Sequence, residues 1–414
     1  MKSPTVKHVN ASPSPSWGNA SLQRGLSLIE LMISIAIGLL ILASLSTLFV
    51  NQSKTRAELD KSNRMIDNGR YALEVLSENL RMAGYYGEFY PSSGVPSVPA
   101  ALPDPCTIIA ADIGAAMQLA VQGYDAAAQV NEIAGPPCGF TYTAGNDRSL
   151  KSGSDILAMR RASTATTITK DAAVPLDGTH FLQVSHCQYD AVPYKISTAN
   201  ADFTLRQNGC TNGSSATWSS VTTYALNYAV QYSGITYVSL AGSNLNNTPS
   251  ATIGTWWKVG GGGYADLRNF LVQVYFVSPS NNTAVVVPGS GCAVGDCIPT
   301  LKRYELDPTT HVFVVTPLVE GIEYMQVDYG LDTGTDGAPD SYVAAPTAAQ
   351  WPNVVAVRMN ILARNNEPTQ GYTDTKTYTL GMAGTFGPFN DHFKRHAYTQ
   401  FIRLTNPAGR REQP

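Results

Sequence analysis

The chain has 414 residues, with 28 Lys and Arg against 31 Asp and Glu, and a formal net charge of -3. Such a balanced charge provides no bulk attraction for nucleic acid, so direct nucleic-acid binding is not expected. Charged residues make up only 14%, whereas Gly (35), Pro (25) and Tyr (21) are frequent. This composition favours a β-rich secreted domain over a helical cytosolic enzyme, and 43% hydrophobic residues suffice for a folded core.

The chain begins with a polar leader, residues 1–24, which holds basic residues and no acidic one. The leader has no apolar stretch, so it is not an ordinary secretory signal. An apolar stretch follows Gly25 and runs from Leu26 to Val50, with Glu30 as its sole ionisable residue. As a helix this stretch would be roughly 37 Å long, enough to cross a bilayer core of about 30 Å. The sequence therefore predicts a single transmembrane anchor.

Glu30 is unexpected in this stretch, because a carboxylate in hydrocarbon is costly and normally marks a function or a partner. One interpretation places it near the helix end, with its carboxylate reaching the lipid headgroups. The string that starts at Arg24 and reads Arg-Gly-Leu-Ser-Leu-Ile-Glu-Leu-Met-Ile favours another interpretation. It resembles the class III signal of type IV pilins and pseudopilins, which the prepilin peptidase cuts after the Gly. The resemblance implies cleavage between Gly25 and Leu26, N-methylation of Leu26 (a position usually Phe in the family), and a role for Glu30 in assembly.

The helix is predicted to continue beyond the membrane, because no Pro occurs between residues 26 and 90. Gly84 is a typical C-terminal stop, and Gly69 in mid-pattern predicts local bending. The prediction is one helix from Leu26 to Ala83, about 87 Å long. Its second half keeps one apolar face, formed by Leu59, Ile66, Leu73, Leu76, Leu80 and Ala83.

The segment from Asp67 to Tyr85 indicates a particular family within the pilins and pseudopilins. An amphipathic helix explains its apolar stripe but not its Arg-Tyr-Ala start at Arg70 or its Arg-Met-Ala-Gly-Tyr finish. These ends resemble the second-helix signature of the PilW family of minor pilins. Three later stretches are similar to segments of that family, whereas residues 100–270 match no family we can name. The three stretches are Val319–Gly330, Val354–Arg364 and the terminal strand 396–404.

Beyond the helix, β-branched and aromatic runs alternate with Gly, Pro, Asn and Ser loops, which predicts antiparallel sheet. The resemblance implies an α+β, pilin-like lollipop in which the long helix packs on a large β-rich periplasmic domain, with one or two sheet regions. The predicted organisation is a leader peptide 1–25, a membrane half 26–50, an amphipathic half 51–87 and a globular domain 88–414. The clearest predicted strands are 156–161, 181–186, 222–232, 270–277, 319–329, 354–363 and 396–404.

Six cysteines lie beyond the membrane helix, and a periplasmic location would favour disulfides. Fifteen pairings are open, of which sequential pairing is the simplest. A zinc site is the competing interpretation, but only His186 and Cys187 form an adjacent pair of ligands. The disulfide candidates are Cys106, Cys138, Cys187, Cys210, Cys292 and Cys297.

The single acidic constellation is Asp332, Asp336 and Asp340 around a Gly-rich turn, a calcium-loop outline with hard oxygen ligands. Gly334 and Val343 occupy loop positions 3 and 12, where an EF-hand has Asp or Asn and Glu, so the loop is not an EF-hand. A plain acidic turn between strands is the favoured alternative. Calcium is the one cofactor that the sequence suggests, as a ligand of this loop.

No catalytic motif is present: neither Gly-x-Ser-x-Gly nor His-Glu-x-x-His occurs, and Gly260–Gly263 lacks the residues of a phosphate loop. We therefore do not expect an enzyme. The alternative of a membrane-tethered periplasmic enzyme is disfavoured, because no residues for a catalytic cleft can be named. The resemblance implies a minor pilin that primes assembly of the type IV pilus and supports twitching motility and adhesion. It would be single-pass in the inner membrane and then lie at the pilus tip. The nearest alternative is a minor pseudopilin of a type II secretion system.

The resemblance also implies a set of partners. Processing requires the prepilin peptidase, and extraction requires the assembly platform of the inner membrane. Membrane lipid surrounds the anchor before assembly. In the tip complex the partners would be other minor pilins and a tip adhesin.

Overall fold

The protein has an α+β fold with one long amino-terminal helix and a large antiparallel β-rich region, as predicted. The computed structural model describes residues 27–89, 102–143, 147–170, 179–187, 190, 192–207, 216–226, 228–233, 235–259, 264–281, 298–307, 312–334 and 336–412. Its α-helices are α1 (Leu28–Met82), α2 (Ala110–Ala115) and α3 (Thr405–Arg411). Short 3-10 helices lie at Ala116–Gln118, Asn200–Asp202, Trp351–Asn353 and Gly381–Ala383.

The longest strands of the described residues lie after residue 260. In chain order they are β1 (Val121–Tyr124), β2 (Ile156–Ala162), β3 (Phe181–Val184), β4 (Tyr194–Ser197), β5 (Ala216–Thr217), β6 (Thr223–Tyr224), β7 (Ala229–Tyr232), β8 (Ile235–Ser239), β9 (Asn244–Leu245), β10 (Trp257–Val259), β11 (Leu267–Ser278), β12 (Thr300–Leu306), β13 (Phe313–Glu320), β14 (Ile322–Leu331), β15 (Ser341–Val343), β16 (Val354–Arg364), β17 (Tyr378–Thr379), β18 (Thr385–Phe386) and β19 (Arg395–Arg403).

Two compact units divide the chain, Met1–Leu59 and Asp60–Pro414. The described part of the first is the amino-terminal stretch of α1, which is long and apolar enough to cross a membrane by length and composition. The second unit holds the rest of α1 and every described strand. Helix α1 runs without interruption, in agreement with the absence of Pro.

Two main sheets form the second unit. The larger has the order β1-β2-β11-β12-β13, with β3 pairing the start of β11 and β4 pairing β3. The carboxy-terminal sheet has the order β15-β14-β16-β19 and is antiparallel throughout. A smaller sheet, β10-β8-β7-β5, is inserted between β4 and β11.

Two predicted strands were wrong in extent. The run 319–329 is a hairpin rather than one strand, because Gly321 turns the chain between β13 and β14 with a φ of 77°. A Cβ there would lie 2.7 Å from the Asn366 side-chain oxygen, which explains why glycine is needed. The run 222–232 holds the separate strands β6 and β7.

The core lies between α1 and both main sheets. Ala72, Leu76 and Leu80 of α1 are fully buried in one cluster with residues from each sheet. The sheet residues include Leu157, Met159, Tyr275, Met325, Met359 and Ile361. The predicted stripe is therefore the packing face of α1, except that Leu59 at its start is 57% exposed.

Gly69 allows close packing of α1 on the carboxy-terminal sheet. A Cβ at this position would lie 2.3 Å from Cε2 of Tyr398 in β19, far inside van der Waals contact. The Tyr398 hydroxyl donates to the Ile66 carbonyl at 3.4 Å. The structure thus gives Gly69 a packing reason, and the local bend stays a prediction.

Candidate assembly site

The start of α1 carries a reciprocal capping box. The Ser27 N–H donates to Glu30 Oε2 at 2.9 Å, and the Glu30 N–H donates to Ser27 Oγ at 3.2 Å. Each side chain thus satisfies a backbone donor that the first turn of a helix leaves without a partner. The Glu30 carboxylate is held at the helix start, fully exposed on this chain. The predicted processing residues Gly25 and Leu26 lie outside the described residues.

The helix surface after Glu30 is almost entirely apolar. Three of its hydroxyl groups turn back onto the helix: Ser34, Ser44 and Thr47 donate to backbone carbonyls at 2.7, 2.9 and 2.8 Å. Such bonding leaves no side-chain hydroxyl of these three residues in need of water, which suits lipid or another helix. The large apolar side chains between Leu28 and Val50 are about half exposed or more in the isolated chain.

The other end of α1 is docked into the second unit, at the Ala-Gly-Tyr sequence that the family resemblance singled out. Gly84 has a φ of 73° and donates its N–H to the Arg160 carbonyl at 2.8 Å. The Ala83 carbonyl accepts from Asn406 Nδ2, and the Gly84 carbonyl accepts from Arg410 Nη1, both at 3.1 Å. Carbonyls at a helix C-terminus need such donors, and cationic ones also suit the helix dipole. Helix α3 therefore caps α1.

Helix α3 also reaches the predicted acidic loop. Arg411 donates to Asp332 Oδ2 at 2.7 Å, to the Asp332 carbonyl at 3.0 Å and to Asn353 Oδ1 at 2.9 Å. The Asp332 side chain is fully buried, so a guanidinium is the cation that balances it. Sequence reasoning missed this contact, because Arg411 and Asp332 are 79 residues apart.

The other two loop carboxylates bond to the loop itself. Asp340 Oδ2 accepts from the Thr333 N–H and hydroxyl, both at 2.7 Å, and from the Gly334 N–H at 3.0 Å. These hydrogen bonds from Thr333 and Gly334 lower the pKa of Asp340 below its ordinary value. Asp336 Oδ1 accepts from the Ala338 N–H at 2.9 Å. This donor set fits an acidic turn closed by Arg411 rather than a calcium cage, and calcium binding stays an untested prediction.

One predicted disulfide is present. It joins Cys106 and Cys138, which are 32 residues apart in the sequence. Cys187 is also disulfide-bonded, while Cys210, Cys292 and Cys297 lie outside the described residues. Among the described residues, the one cluster of three potential metal ligands is Asp104 with Cys106 and Cys138. The two sulfur atoms of that cluster are consumed by the disulfide, so it is not a metal site.

A buried ion network joins the loop after β16 to the carboxy-terminal sheet. Arg395 contacts Glu323 through two nitrogens, at 2.5 and 3.1 Å. It also donates to Asp374 at 2.9 Å and to Asp391 at 2.7 and 2.6 Å. The Arg395 and Asp374 side chains are 1% and 0% exposed. No sequence pattern connects these residues, since Glu323 and Arg395 are 72 positions apart.

A second buried carboxylate ties the two main sheets together. Asp155 accepts from the Ala126 N–H through Oδ1 and from the Val327 N–H in β14 through Oδ2, both at 2.8 Å. Burial raises the pKa of Asp155 well above its ordinary value, in spite of these two bonds. Asp155 therefore links the segment after β1 to β14 through two backbone hydrogen bonds.

Comparison with known proteins gives two matches. Residues 274–406 match the family described as Type IV Pilus-assembly protein W, and residues 21–46 match the prokaryotic N-terminal methylation motif. The first match spans the end of β11, the strands β12 to β19 and the start of α3, and the second spans the capping box. No match was found among curated proteins or among solved structures. The two matches fit a PilW-family minor pilin and confirm the resemblance seen in the sequence.

Proposed function

We propose that this minor pilin of the type IV pilus waits in the inner membrane, is processed by the prepilin peptidase, and then enters a tip complex. The observation that carries the proposal is the pairing of an exposed, apolar, methylation-motif helix with a PilW domain on the same chain. In that complex it would prime assembly and contact other minor pilins and a tip adhesin. Twitching motility and adhesion would depend on it through the pilus, and we expect no enzymatic activity.

Glu30 is the proposed assembly residue. Cleavage after Gly25 would create an amine at Leu26 in an apolar environment, and such a cation needs an anion. The Glu30 carboxylate of a neighbouring subunit could provide it, which would fix the register between helices. Within the described residues the Ser27 N–H donates to Glu30 Oε2 and the carboxylate is fully exposed, so a donor from a neighbouring subunit can reach it.

The size of the domain supports a position at the tip. The unit Asp60–Pro414 is large, and a bulky domain is easier to accommodate where few copies are needed than along a closely packed shaft. We propose that the carboxy-terminal domain is periplasmic before assembly. The match to a pilus-assembly family favours the pilus over the alternative type II secretion system.

The first test is the amino terminus of the protein isolated from membranes with and without the prepilin peptidase. We expect a chain that starts at N-methyl-Leu26 only when the peptidase is present. An intact leader in both samples, or cleavage after Val50, would contradict the proposal.

The second test separates assembly from membrane insertion. We expect Glu30→Ala to insert normally but to be depleted from sheared pili. The matched control is Glu74→Ala, which removes an exposed carboxylate from the same helix and should leave incorporation unchanged. Equal incorporation of both variants would refute the role of Glu30. Loss of secretion with normal pili in a deletion strain would instead favour the secretion alternative.

A further inference from the structure

The carboxy-terminal sheet ends in a long free edge. β19 pairs with β16 along its whole length, from Arg395 to Arg403. Within the part of the chain that the structure describes, no strand lies on the other side of β19. The other edge of this sheet is the short strand β15, Ser341–Val343, so the free edge of β19 is the longer one by far.

The hydrogen bonds that flank β19 determine which of its backbone groups face outward. The Leu404 N–H donates to the Val355 carbonyl at 2.9 Å, and the Asn365 N–H donates to the Lys394 carbonyl at 3.0 Å. Both pairs continue the β16–β19 register, in which hydrogen-bonded and non-hydrogen-bonded pairs alternate. Even-numbered residues of β19 therefore bond to β16. The N–H and C=O groups that point to the free edge belong to Ala397, Thr399, Phe401 and Arg403.

This edge lacks the usual protection against strand addition. From His396 to Ile402 it contains no Pro, Gly, Lys, Arg, Asp or Glu. Natural sheets normally protect exposed edges with such residues, with bulges or with very short strands. The free edge of the larger sheet follows that rule, because β13 contains Pro317 and its pairing with β12 shifts register beside Lys302. The two edges thus differ in their capacity to accept another strand.

Phe401 is an exposed aromatic residue at the free edge, and no described strand lies beside it. Its side chain is 62% exposed on the sheet surface, with its ring 5.8 Å from the Tyr342 ring and 6.0 Å from the Arg358 guanidinium carbon. Asp328, Arg358 and Phe401 form one cross-strand row that stops at the edge. An added strand would place a side chain directly beside Phe401, where an apolar residue would remove the ring from water.

We propose that β19 accepts an extended segment of a different polypeptide as an additional strand of this sheet. In the isolated chain water can bond to the alternating outward N–H and C=O groups, and an extended strand is the protein segment whose own backbone groups match their spacing, which defines the chemistry of the partner. The segment would carry an apolar residue opposite Phe401 and an acidic or neutral one near Arg403. A second copy of this chain fits less well, because full antiparallel overlap of two β19 edges would place only the methyl group of Ala397 opposite Phe401 and leave most of the exposed ring in water.

The proposal rests on the proposed function, because the chain must enter a filament or tip complex. The test therefore distinguishes failure of strand addition from failure of that entry. Amide hydrogen exchange is measured on the full chain in detergent and on the same chain in sheared pili. Three chains are compared: wild type, Thr399→Pro and Thr399→Ala. Both substitutions remove the hydroxyl that donates to Asn360 at 2.9 Å, but only Pro removes an outward N–H. Pro at an edge position facing solvent is compatible with the strand, and thermal melting checks that both variants fold.

We expect the Ala397, Thr399 and Phe401 amides to exchange at least about tenfold more slowly in pili than in detergent. Thr399→Ala should retain this protection at positions 397 and 401, and Thr399→Pro should lose it. Unchanged exchange at the edge of wild-type chains recovered from pili would overturn the inference while leaving the proposed function intact. Absence of the chain from pili would instead contradict the proposed function.

Two further outcomes are decisive. If Thr399→Pro does not fold, Phe401→Lys replaces it, since a charge on the edge also opposes strand addition. A photo-crosslinker at position 401 identifies the strand by mass spectrometry. Capture of a segment from a different subunit supports the proposal, and capture of the same chain overturns the choice of partner.

Discussion

Arg395 is the residue whose loss should destabilise the domain most clearly. Arg395→Met keeps an unbranched apolar side chain but removes the guanidinium, whose carbon lies 3.8 Å from the centre of the Phe389 ring. It removes the charge-assisted bonds to Glu323, Asp374 and Asp391. Breaking a buried pair from one side costs about 3–5 kcal/mol, because the remaining charge stays buried. Arg364 Nη1 lies 3.6 Å from Glu323 and compensates that carboxylate in part, so we expect about 3 kcal/mol.

The free energy of unfolding is measured by urea denaturation of the full chain in detergent, followed by tryptophan fluorescence, to which the buried Trp257 and Trp351 contribute. The matched control is Arg403→Met in the same strand, whose partner Glu412 is half exposed. Exposed pairs contribute about 0–1 kcal/mol, so this variant should be close to wild type. Equal stability of the two variants would refute the reasoning.

The same substitution makes a prediction about pH. Partial burial alone would raise the pKa of Asp391, but the hydrogen bonds from Arg395 and from the Phe393 N–H hold it below its ordinary value. A depressed carboxyl pKa adds stability above the unfolded-state pKa, and this stability is lost as pH falls through the folded-state value. The difference between wild type and Arg395→Met should therefore shrink as the solution is acidified. A difference that stays constant to low pH would contradict this account.

Three further predictions concern packing, the disulfide and the acidic loop. Gly69→Ala should destabilise the domain by about 1–3 kcal/mol in the same unfolding assay, because its Cβ has no room, whereas Gly38→Ala has open space and should be neutral. Cys138→Ser should lower the free energy of unfolding by about 3–4 kcal/mol on the loop-entropy model, and a loss below about 1 kcal/mol would contradict it. Calcium should leave the melting temperature of wild type unchanged, because Arg411 already balances Asp332; a calcium-dependent increase that Arg411→Gln enlarges would show that the loop binds the ion.

The long helix and most long strands follow from sequence, because their signals are local. The apolar stripe up to Ala83 and the Gly84 stop predict α1, and the β-branched runs predict β11, β16 and β19. The hairpin at Gly321 was missed because both sides of the turn are β-like, so composition shows no break. Only a positive φ, which a sequence does not reveal, separates the two strands.

The contacts that hold the domain together were not predictable, because they join residues far apart in the chain. Arg395 with Glu323 and Arg411 with Asp332 depend on how strands and loops pack, and neither Arg stands in a motif. The acidic loop is an example. The spacing of its Asp residues suggests a set of metal ligands, whereas in the structure the buried Asp332 carboxylate pairs with Arg411 of α3. Local spacing constrains a site only when its ligands are local.

The cap that α3 places on α1 has a consequence for the order of folding. Asn406 and Ala83 are 323 residues apart, and Arg410 and Gly84 are 326 apart. Contacts of such separation form late, because the intervening chain must first be made and ordered. The end of the first helix therefore stays uncapped until nearly the whole polypeptide has been synthesised. A nascent chain that stalls or is clipped before residue 405 would leave the Ala83 and Gly84 carbonyls without these two donors.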